Sequence, residues 1–432
     1  MTGCVNKRRV GEDGAVDHVE LREGDRVALV VPGSLLYVDA VMSLLAAGVF
    51  PIPLDPRLTS YERERILSSL EPRLVVEDEA ALRSVVDPSV APVERLPRGR
   101  PIHVTSGTTG VPKGVFSGLL DADQAAALVA EERELWGFCA DDVNLVLSPL
   151  HHSAPLRFAT GTLLAGGRVI APGLFDPVTV TRAIERDRPT TMFCVPTQLQ
   201  RLFAHWEVVG TPDLSCFRLV AHAGAACPPA VKHRLIETFP DGSTWEFYGS
   251  TEGQFTACRS EEWLQRPGTV GRARPGRSLS VDDDGTIWCE VPAHARFSYF
   301  GDPAKTAEAW RGNAFTVGDL GRLDEDGYLH LDGRREDLII TGGVNVYPTE
   351  VENVLSGHPL VDDVAVYGVP DEAWGQRVCA TVVGAVSAAE LDSWARERLA
   401  PPKRPKDYRF VEELPRTLTG KVRRLDLAAE AP

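Results

Sequence analysis

The sequence predicts an α/β protein in which a large N-terminal domain of α/β layers, ending in an antiparallel β subdomain, precedes a small mobile α+β C-terminal domain. Two observations support this. Apolar strand-like runs alternate with helical periods from residue 26 to about residue 250, a pattern typical of parallel βαβ units. Between residues 268 and 333 the runs become short and are separated by turns at Asp284-Gly285 and Asp326-Gly327, which indicates antiparallel hairpins. A chain of 432 residues is also long enough for more than one domain.

The individual elements are placed by the period of their apolar residues, which is two in strands and three to four in helices. We assign residues 1–333 to the N-terminal domain, 334–337 to a hinge and 338–432 to a C-terminal lid domain. The predicted strands cover residues 26–31, 49–53, 73–76, 143–147, 167–171, 189–195, 219–223, 286–291, 315–317, 328–331, 363–369, 377–383 and 407–410. The predicted helices cover 35–47, 60–70, 348–355 and 388–399, with a helical period after each strand between 167 and 223.

Composition argues against several partners. A formal net charge of −15 disfavours nucleic acids and anionic membranes, both of which are bound through clustered Lys and Arg. The most apolar segment, 35–54, is too short and mixed to span a bilayer, and no signal-peptide pattern follows the first basic residues. The eight cysteines contain no C-x-x-C pair, so neither structural zinc nor a disulfide framework is expected. We expect a cytoplasmic protein without a membrane span.

A glycine- and hydroxyl-rich segment between two apolar runs predicts a polyphosphate-binding loop. Its glycines let the backbone present N–H groups, its hydroxyls add donors, and Lys113 supplies a positive charge. Pro112 and Gly114 flank that lysine, so the segment differs from a Walker A loop, in which Gly-Lys is followed by Ser or Thr. The predicted cofactor-binding residues of the loop are Thr105, Ser106, Gly107, Thr108, Thr109, Gly110 and Lys113.

A second segment, 245–253, combines three complementary groups. Tyr248 offers an aromatic face to a purine, and Thr251 offers a hydroxyl to a phosphate oxygen. Glu252 offers a carboxylate to Mg²⁺, which prefers carboxylate, water and phosphate oxygens. Each residue alone could belong to an ordinary turn. Their combination downstream of a phosphate loop predicts a nucleotide site in which Glu252 is the metal ligand.

Further candidates stand where predicted strands end, because ligands of open α/β sheets gather there. After the strand at 143–147 come His151 and His152, with Arg157 beyond them. After the strand at 219–223 comes a segment of small residues that would let a flat base lie against the backbone. The segment consists of Gly224, Ala225 and Ala226, and Gly249 and Gln254 are further candidates for the substrate pocket.

Taken together, T-S-G-T-T-G-x-P-K-G at 105–114 and Y-G-x-T-E at 248–252 resemble two signatures of the adenylate-forming superfamily. This superfamily includes acyl-CoA synthetases, peptide-synthetase adenylation domains and luciferase-like enzymes. The resemblance extends from about residue 24 to 427 and is closest to AMP-binding acyl-CoA ligases, with a shortened N-terminal lobe. It implies that ATP and Mg²⁺ bind at the two segments.

The resemblance also implies roles for residues whose own chemistry is unspecific. Asp319 would accept hydrogen bonds from both ribose hydroxyls, and Arg334 would bind the ribose and phosphate region. Lys421, in a segment similar to P-x-T-x-x-G-K, would be the catalytic lysine. His152 would take the place of the histidine at the substrate entrance.

The implied function is an ATP-dependent, AMP-forming ligase that adenylates a small carboxylic acid, releases pyrophosphate and transfers the activated group to the thiol of CoA. Gly342 and Gly343 lie in a segment similar to the one that acyl-CoA synthetases place beside the pantetheine tunnel. Glu336 occupies the hinge position, around which the C-terminal domain would turn between the two steps.

Three alternatives remain at the level of sequence. The acceptor could be a free carrier protein. The enzyme could be a diazotase of secondary metabolism, which activates nitrite with ATP and couples it to an aromatic amine. Finally, the chain could be a non-catalytic adenylate-binding protein, although the joint presence of Lys113, Glu252, Asp319, Arg334 and Lys421 argues against that interpretation.

Overall fold

The first unit of the fold is a three-stranded parallel sheet. A computed structural model describes residues 20–105, 113–334, 337–341, 344–416 and 422–430. The elements of this unit are β1 (Arg26–Leu29), α1 (Leu35–Ala46), β2 (Phe50–Pro53), α2 (Ser60–Leu70), β3 (Leu74–Val76) and α3 (Glu79–Ser84). The strand order β2-β1-β3 is parallel throughout, as the sequence predicts. Thr59 and Glu62 form a capping box at the start of α2.

A seven-stranded sheet forms the centre of the N-terminal domain. The preceding elements are β4 (His103–Thr105), β5 (Lys113–Phe116) and α4 (Ala122–Trp136). The sheet and its helices comprise β6 (Val143–Val146), α5 (Ser153–Leu164), β7 (Arg168–Ile170), α6 (Pro177–Asp187), β8 (Thr191–Cys194), α7 (Pro196–Val209), β9 (Leu219–His222), α8 (Pro229–Thr238), β10 (Thr244–Glu246), β11 (Thr256–Arg259), α9 (Ser260–Gln265) and β12 (Arg272–Ala273). The order is β12-β11-β10-β9-β8-β6-β7, and only β11 and β12 run antiparallel to their neighbours.

Sequence analysis did not identify α4, although its start carries a clear signal. Asp121 and Gln124 form a capping box there, and Gly137 ends the helix in a left-handed conformation with φ of 63°. The helix is important for the site, because the side chains of its second half reach into the interior of the domain, as described below.

The antiparallel subdomain follows the seven-stranded sheet. Its elements are β13 (Ser278–Val281), β14 (Ile287–Glu290), β15 (Ser298–Tyr299), α10 (Pro303–Ala309), β16 (Trp310–Arg311), β17 (Ala314–Phe315), β18 (Asp319–Leu323) and β19 (Leu329–Arg334). The predicted turns at Asp284-Gly285 and Asp326-Gly327 connect β13 to β14 and β18 to β19, and both pairs are antiparallel. β18 was not predicted, because its first residue, Asp319, is of a type depleted in strands.

The C-terminal part is a small α+β unit around one sheet. Its elements are β20 (Ile339–Thr341), β21 (Val344–Val346), α11 (Pro348–Leu355), β22 (Val361–Asp371), β23 (Gly375–Gly384), α12 (Ala388–Arg398), β24 (Asp407–Phe410) and α13 (Arg424–Ala429). The strands are ordered β21-β20-β23-β22, and β24 pairs with β23 in parallel. The mixed α/β class and the division into a large and a small part agree with the prediction. The predicted boundaries of the hinge stay a prediction.

Buried apolar residues connect the segments that the sequence singles out. One core cluster contains Val115, which follows the phosphate loop, together with Tyr248 of the second segment. Phe255, Phe297 and Phe315 of the same cluster pack between them. Among the residues that the structure describes, no helix combines the length and the apolar character needed to cross a bilayer.

Candidate active site

An antiparallel strand pair holds the two ends of the predicted phosphate loop side by side. Thr105, the last residue of β4, is paired with Lys113, the first residue of β5. On the other edge of β5, Tyr299 of β15 is paired with Val115. The ammonium of Lys113 lies 5.7 Å from the centre of the Tyr299 ring. The predicted residues Ser106, Gly107, Thr108, Thr109 and Gly110, and the side chain of Thr105, lie outside the described part of the structure.

Tyr299 also contacts the second predicted segment. Its hydroxyl donates a hydrogen bond of 2.9 Å to Oε1 of Glu252, and both side chains are buried. Burial, followed by the negative charge of Glu252, raises the pKa of Tyr299, so the phenol is protonated and acts as the donor. The strands beside the phosphate loop and the Y-G-x-T-E segment therefore meet through one side chain.

Glu252 fits a magnesium ion that arrives together with a nucleotide. Mg²⁺ keeps several waters and usually binds through one or two carboxylates plus phosphate oxygens. In the described part of the chain, no group of three or more His, Cys, Asp or Glu residues could hold a metal by itself. Glu252 thus suits an ion whose remaining ligands are phosphate oxygens and water. The neighbouring Thr251 is half-buried.

Tyr248 and Asp319 form the next connected pair. The Tyr248 hydroxyl donates to Oδ2 of Asp319 over 2.5 Å, and the ring packs at 4.9 Å against Phe255. Asp319 is also paired with Arg334 in the register of β18 and β19. The backbone therefore brings the predicted ribose ligand Asp319 beside Arg334, whose side chain is outside the described residues.

The small-residue segment after β9 is accessible, and a buried ionic group underlies it. Gly224 and Ala226 are exposed, Ala225 is half-buried, and Gly224 has a φ of +93°. Beneath them Lys232, fully buried, places its Nζ 2.7 Å from Nε2 of His222 and 3.3 Å from Oε2 of Glu246. Burial and the charge of Lys232 lower the pKa of His222, so the neutral imidazole accepts from the ammonium.

Sequence analysis missed this buried group. His222 directly precedes Ala223-Gly224, and Glu246 directly precedes Phe247-Tyr248. Lys232 therefore ties together the two backbone segments that lead into the candidate adenosine site. A lysine ten residues after a histidine has no local signature, so only the folded arrangement shows the contact.

The histidines that follow β6 are half-buried, and the Nε2 atoms of both are shielded from solvent. His152 is the N-cap residue of α5, and its ring lies 4.3 Å from that of His151. His103 Nδ1 is 3.1 Å from the carbonyl oxygen of His151, and His151 Nε2 is 3.7 Å from a carboxylate oxygen of Asp55. Burial, as the largest cause, lowers the pKa of His103 to about 4 and also lowers that of His151.

A cavity of about 180 Å³ adjoins both predicted motifs. It is lined by His103 and Val115 on the strands beside the phosphate loop and, from the second segment, by Ser250, Thr251, Gly253 and Gln254. From α5 the lining includes Arg157, whose Nη2 donates to Oε1 of Gln254 over 2.8 Å. Of the predicted pocket residues, Arg157 and Gln254 thus line the cavity together, whereas His152 and Gly249 are not among its lining residues.

The same cavity contains charged residues that sequence analysis did not single out. They come from the segment before β4, from α4 and from the segment before β13. Arg274 is only 3% exposed, and burial lowers the pKa of Arg100 to about 10. The additional charged lining residues are Arg95, Arg100, Glu131, Glu132, Arg133, Arg274 and Arg277. Arg274 lies between Gly271 and Pro275, in a segment with no recognisable motif, so the sequence does not identify it as a site residue. Its burial in the folded protein does.

The predicted groups of the C-terminal part lie mostly outside the described residues. Lys421, Glu336, Gly342 and Gly343 belong to that set. Their neighbours are described: Arg416 forms an antiparallel bridge with Val422, and Thr341 is paired with Val344.

Comparisons with known proteins agree with this arrangement. The model of the AMP-binding enzyme family matches residues 15–99 and 101–291, and that of the AMP-binding enzyme C-terminal domain matches 350–421. A feruloyl-CoA synthase of Amycolatopsis sp. is 33% identical over 93% of this chain and 88% of its own length.

Two solved structures are similar over their full architecture. One is ATP-bound MatB from Rhodopseudomonas palustris, with a TM-score of 0.80, 28% identity and coverage of 95% of this chain and 89% of that chain. The other is the amide bond synthetase McbA from Marinactinospora thermotolerans, with a TM-score of 0.82, 27% identity and coverage of 95% and 90%.

Proposed function

Because this chain belongs to the AMP-binding enzyme family and is therefore an AMP-forming ligase of the adenylate-forming superfamily, we propose that it adenylates a small carboxylic acid and transfers the acyl group to CoA. The observation that carries the proposal is the contact chain from Lys113 through Tyr299 to Glu252. It brings the flank of the phosphate loop to the segment that ends in the candidate Mg²⁺ ligand. The similarity to a feruloyl-CoA synthase supports the thiol acceptor.

The first step has to bring two anions together. A carboxylate oxygen attacks the α-phosphorus of ATP, and the bond to the β-phosphate oxygen breaks, so that acyl-adenylate and pyrophosphate form. Lys113 and the hydroxyls of the loop would hold the departing pyrophosphate, and Lys421 would lie between the incoming oxygen and the α-phosphate. Mg²⁺, held by Glu252, would neutralise phosphate charge. Removing one such contact typically costs about 10²- to 10³-fold in rate.

The nucleotide would be oriented by groups that the fold already holds in place. Tyr248 would present its ring to the adenine, and the exposed backbone at Gly224 to Ala226 would lie against the base. Asp319 would accept from the ribose hydroxyls through an oxygen next to the one that Tyr248 contacts. Arg334, paired with Asp319 in the strand register, would lie beside the ribose and phosphates.

In the second step the thiol sulfur of CoA attacks the acyl carbon, and AMP leaves. We propose that the C-terminal domain turns at Glu336 between the steps, so that Lys421 withdraws and the Gly342-Gly343 segment comes to the site. A mobile domain that serves two steps in turn is a hinge mechanism. A cytoplasmic location, where ATP and CoA are both available, is part of the same proposal.

Pyrophosphate exchange tests the activation step, and product analysis tests the acceptor. Purified protein is incubated with ATP, Mg²⁺, labelled pyrophosphate and a panel of small acids, and productive acids are then combined with CoA. We expect acid-dependent label in ATP and a thioester. If none of the acids in a broad panel supports pyrophosphate exchange, the result would contradict the activation step and favour a non-catalytic adenylate-binding protein.

A second candidate acceptor is an amine. The similarity to the amide bond synthetase favours it, because that protein is named for amide formation. Supplying productive acids with amines instead of CoA distinguishes the two acceptors, and a purified carrier protein serves as the third arm. The same assay with nitrite and an aminophenyl acid tests the diazotase interpretation, which none of the three relatives reported above supports by name.

A further inference from the structure

The cavity beside the candidate nucleotide site carries more positive than negative charge. Four guanidinium groups line it, those of Arg100, Arg157, Arg274 and Arg277, against the two carboxylates of α4, Glu131 and Glu132. Two further arginines, Arg95 and Arg133, also line it, and Arg95 pairs with Asp39 at 2.9 Å.

The two carboxylates are already used by part of this set. Glu131 is bound through both oxygens by Arg277, each contact being 2.9 Å, and His294 lies 2.8 Å from one of these oxygens. Glu132 is shared, with Arg274 at 2.9 Å and Arg157 at 3.3 Å. Arg157 and Arg274 together therefore keep one positive charge that Glu132 does not compensate.

Arg100 adds a second positive charge. Its guanidinium donates only to backbone carbonyl oxygens, of Glu252 at 3.3 Å and of Ala295 and Arg296 at 3.3 and 3.0 Å. No carboxylate of the described residues lies within ion-pair distance of it. The negative charges of Glu252 and Glu131 act on Arg100 from beyond that distance. Because burying a charge without a close counter-charge is costly, an arrangement of this kind is suited to receive an anion.

Gln254 is oriented to complete this group. Its Nε2 donates to the carbonyl oxygen of Thr256 over 2.9 Å, which leaves Oε1 facing the arginines. Oε1 accepts from Arg157 at 2.8 Å and lies 3.4 Å from Arg274. The amide thus holds both guanidiniums at the cavity wall. The buried hydroxyl of Ser250, also in the lining, has no hydrogen-bond partner in the described part of the chain.

The remaining wall is apolar. Met42 and Leu45 of α1, Leu128 of α4, Leu156 of α5 and Phe315 line it. A ligand with an apolar body and an anionic end matches both parts of the lining. Its reacting end would lie at Ser250 and Thr251, next to the candidate metal ligand Glu252, and its second end would face the arginines.

We propose that the acid activated by this protein carries a second anionic group, such as a second carboxylate, which Arg157, Arg274 and Arg100 bind within the cavity. The inference rests on the proposed function for the identity of the reacting group, which is the other carboxylate. Arg157 is the residue to test, because it is at once partly accessible, bonded to Gln254 and paired with Glu132. A planar guanidinium can bind a carboxylate through two hydrogen bonds.

The test measures equilibrium binding of matched acids, so that it does not depend on turnover. Terephthalate, 4-carboxyphenylacetate and adipate are each compared with their half-amides by calorimetry, in the presence of an ATP analogue with an α,β-methylene bridge. We expect wild-type protein to bind at least one diacid about 10- to 100-fold more tightly than its half-amide, the ratio typical of a hydrogen-bonded charge.

The variants identify the group responsible. Arg157→Gln should lower the preference for the diacid about 10-fold, the loss of one charged hydrogen bond, because Arg274 and Arg100 remain. Arg157→Lys should lose less, because it keeps a point charge. Arg182→Gln, an exposed arginine of α6, is the control and should behave as wild type. Equal binding of diacid and half-amide by wild type, no binding of any diacid, or a preference that is undiminished in Arg157→Gln would overturn the inference.

Pyrophosphate exchange in the same samples separates the two proposals. Diacid binding without exchange for any acid means that the proposed activation is wrong while the anion site stands. The opposite result is exchange that is as efficient with monocarboxylic acids as with diacids and that Arg157→Gln leaves unchanged. It means that the proposed activation stands while the proposed anion site is wrong.

Discussion

The hydroxyl of Tyr248 donates a hydrogen bond of 2.5 Å to the carboxylate of Asp319, a residue 71 positions further along the chain. The contact joins the end of the seven-stranded sheet to the first residue of β18. It therefore fixes the distance between the ring proposed to contact adenine and the carboxylate proposed to contact ribose. Because both residues are buried, solvent does not easily replace the bond.

We expect Tyr248→Phe to lower the free energy of unfolding by about 1.5–3 kcal/mol, the range for a hydrogen bond to a charged group. The ring and its packing on Phe255 remain, so the KM for ATP should rise through misplacement of Asp319 alone. Urea denaturation and pyrophosphate exchange measure the two effects. Tyr328→Phe removes a similar bond of 3.1 Å to Glu262 and is the control. An unchanged KM for ATP in Tyr248→Phe would contradict the orienting role.

Lys232→Met should destabilise the protein strongly, because it leaves Glu246 buried without its counter-charge. The cost of breaking a buried ion pair from one side is about 3–5 kcal/mol. Adding Glu246→Gln should recover a large part of this loss, which chemical denaturation of the single and double variants measures. Lys305→Met, which breaks the exposed pair with Glu308, is the control and should cost less than about 1 kcal/mol. Equal effects of the buried and the exposed variant would contradict the argument.

His103 should make the fold sensitive to mild acid. Burial lowers its pKa from 6.5 to about 4. Between these values the unfolded chain binds a proton that the folded chain does not, so the free energy of unfolding falls as the pH falls. The contribution of this group is complete above pH 6.5, is lost towards pH 4, and is on the order of 3 kcal/mol. His103→Leu should flatten the pH dependence of urea unfolding in this window. Identical slopes for wild type and variant would show that His103 does not titrate in this way.

Sequence alone predicts the parts of this protein that have a local period. The parallel strands from β1 to β9 were placed to within two residues, because each is a short apolar run between turn residues. Tyr248 and Glu252 are predicted as site residues from their order along the chain, and the structure adds that Asp319 and Tyr299 are their hydrogen-bond partners.

The charged cavity was not predictable in this way. Arg274 and Glu132 are 142 positions apart, and Arg157 and Gln254 are 97 apart. The sequence around each residue of such a pair contains no recognisable motif. An isolated Arg or Glu usually lies on a solvated surface. The charged residues of the cavity can be distinguished from surface charges only because the folded chain brings both partners of each pair together in its interior.

The division of labour proposed above for the two steps makes Lys421 the most informative residue for the mechanism. Lys421→Ala should abolish adenylate formation, by about 10²- to 10³-fold or more, because a cation beside the α-phosphate acts only in the first transition state. Thioester formation from chemically prepared acyl-adenylate and CoA should stay within a few-fold of wild type, because the lysine has then withdrawn. Pyrophosphate exchange measures the first step and thioester release the second. Lys406→Ala, an exposed lysine of the same domain, is the control for both. A parallel loss of both steps in Lys421→Ala would show that one fixed arrangement of the C-terminal domain serves both reactions.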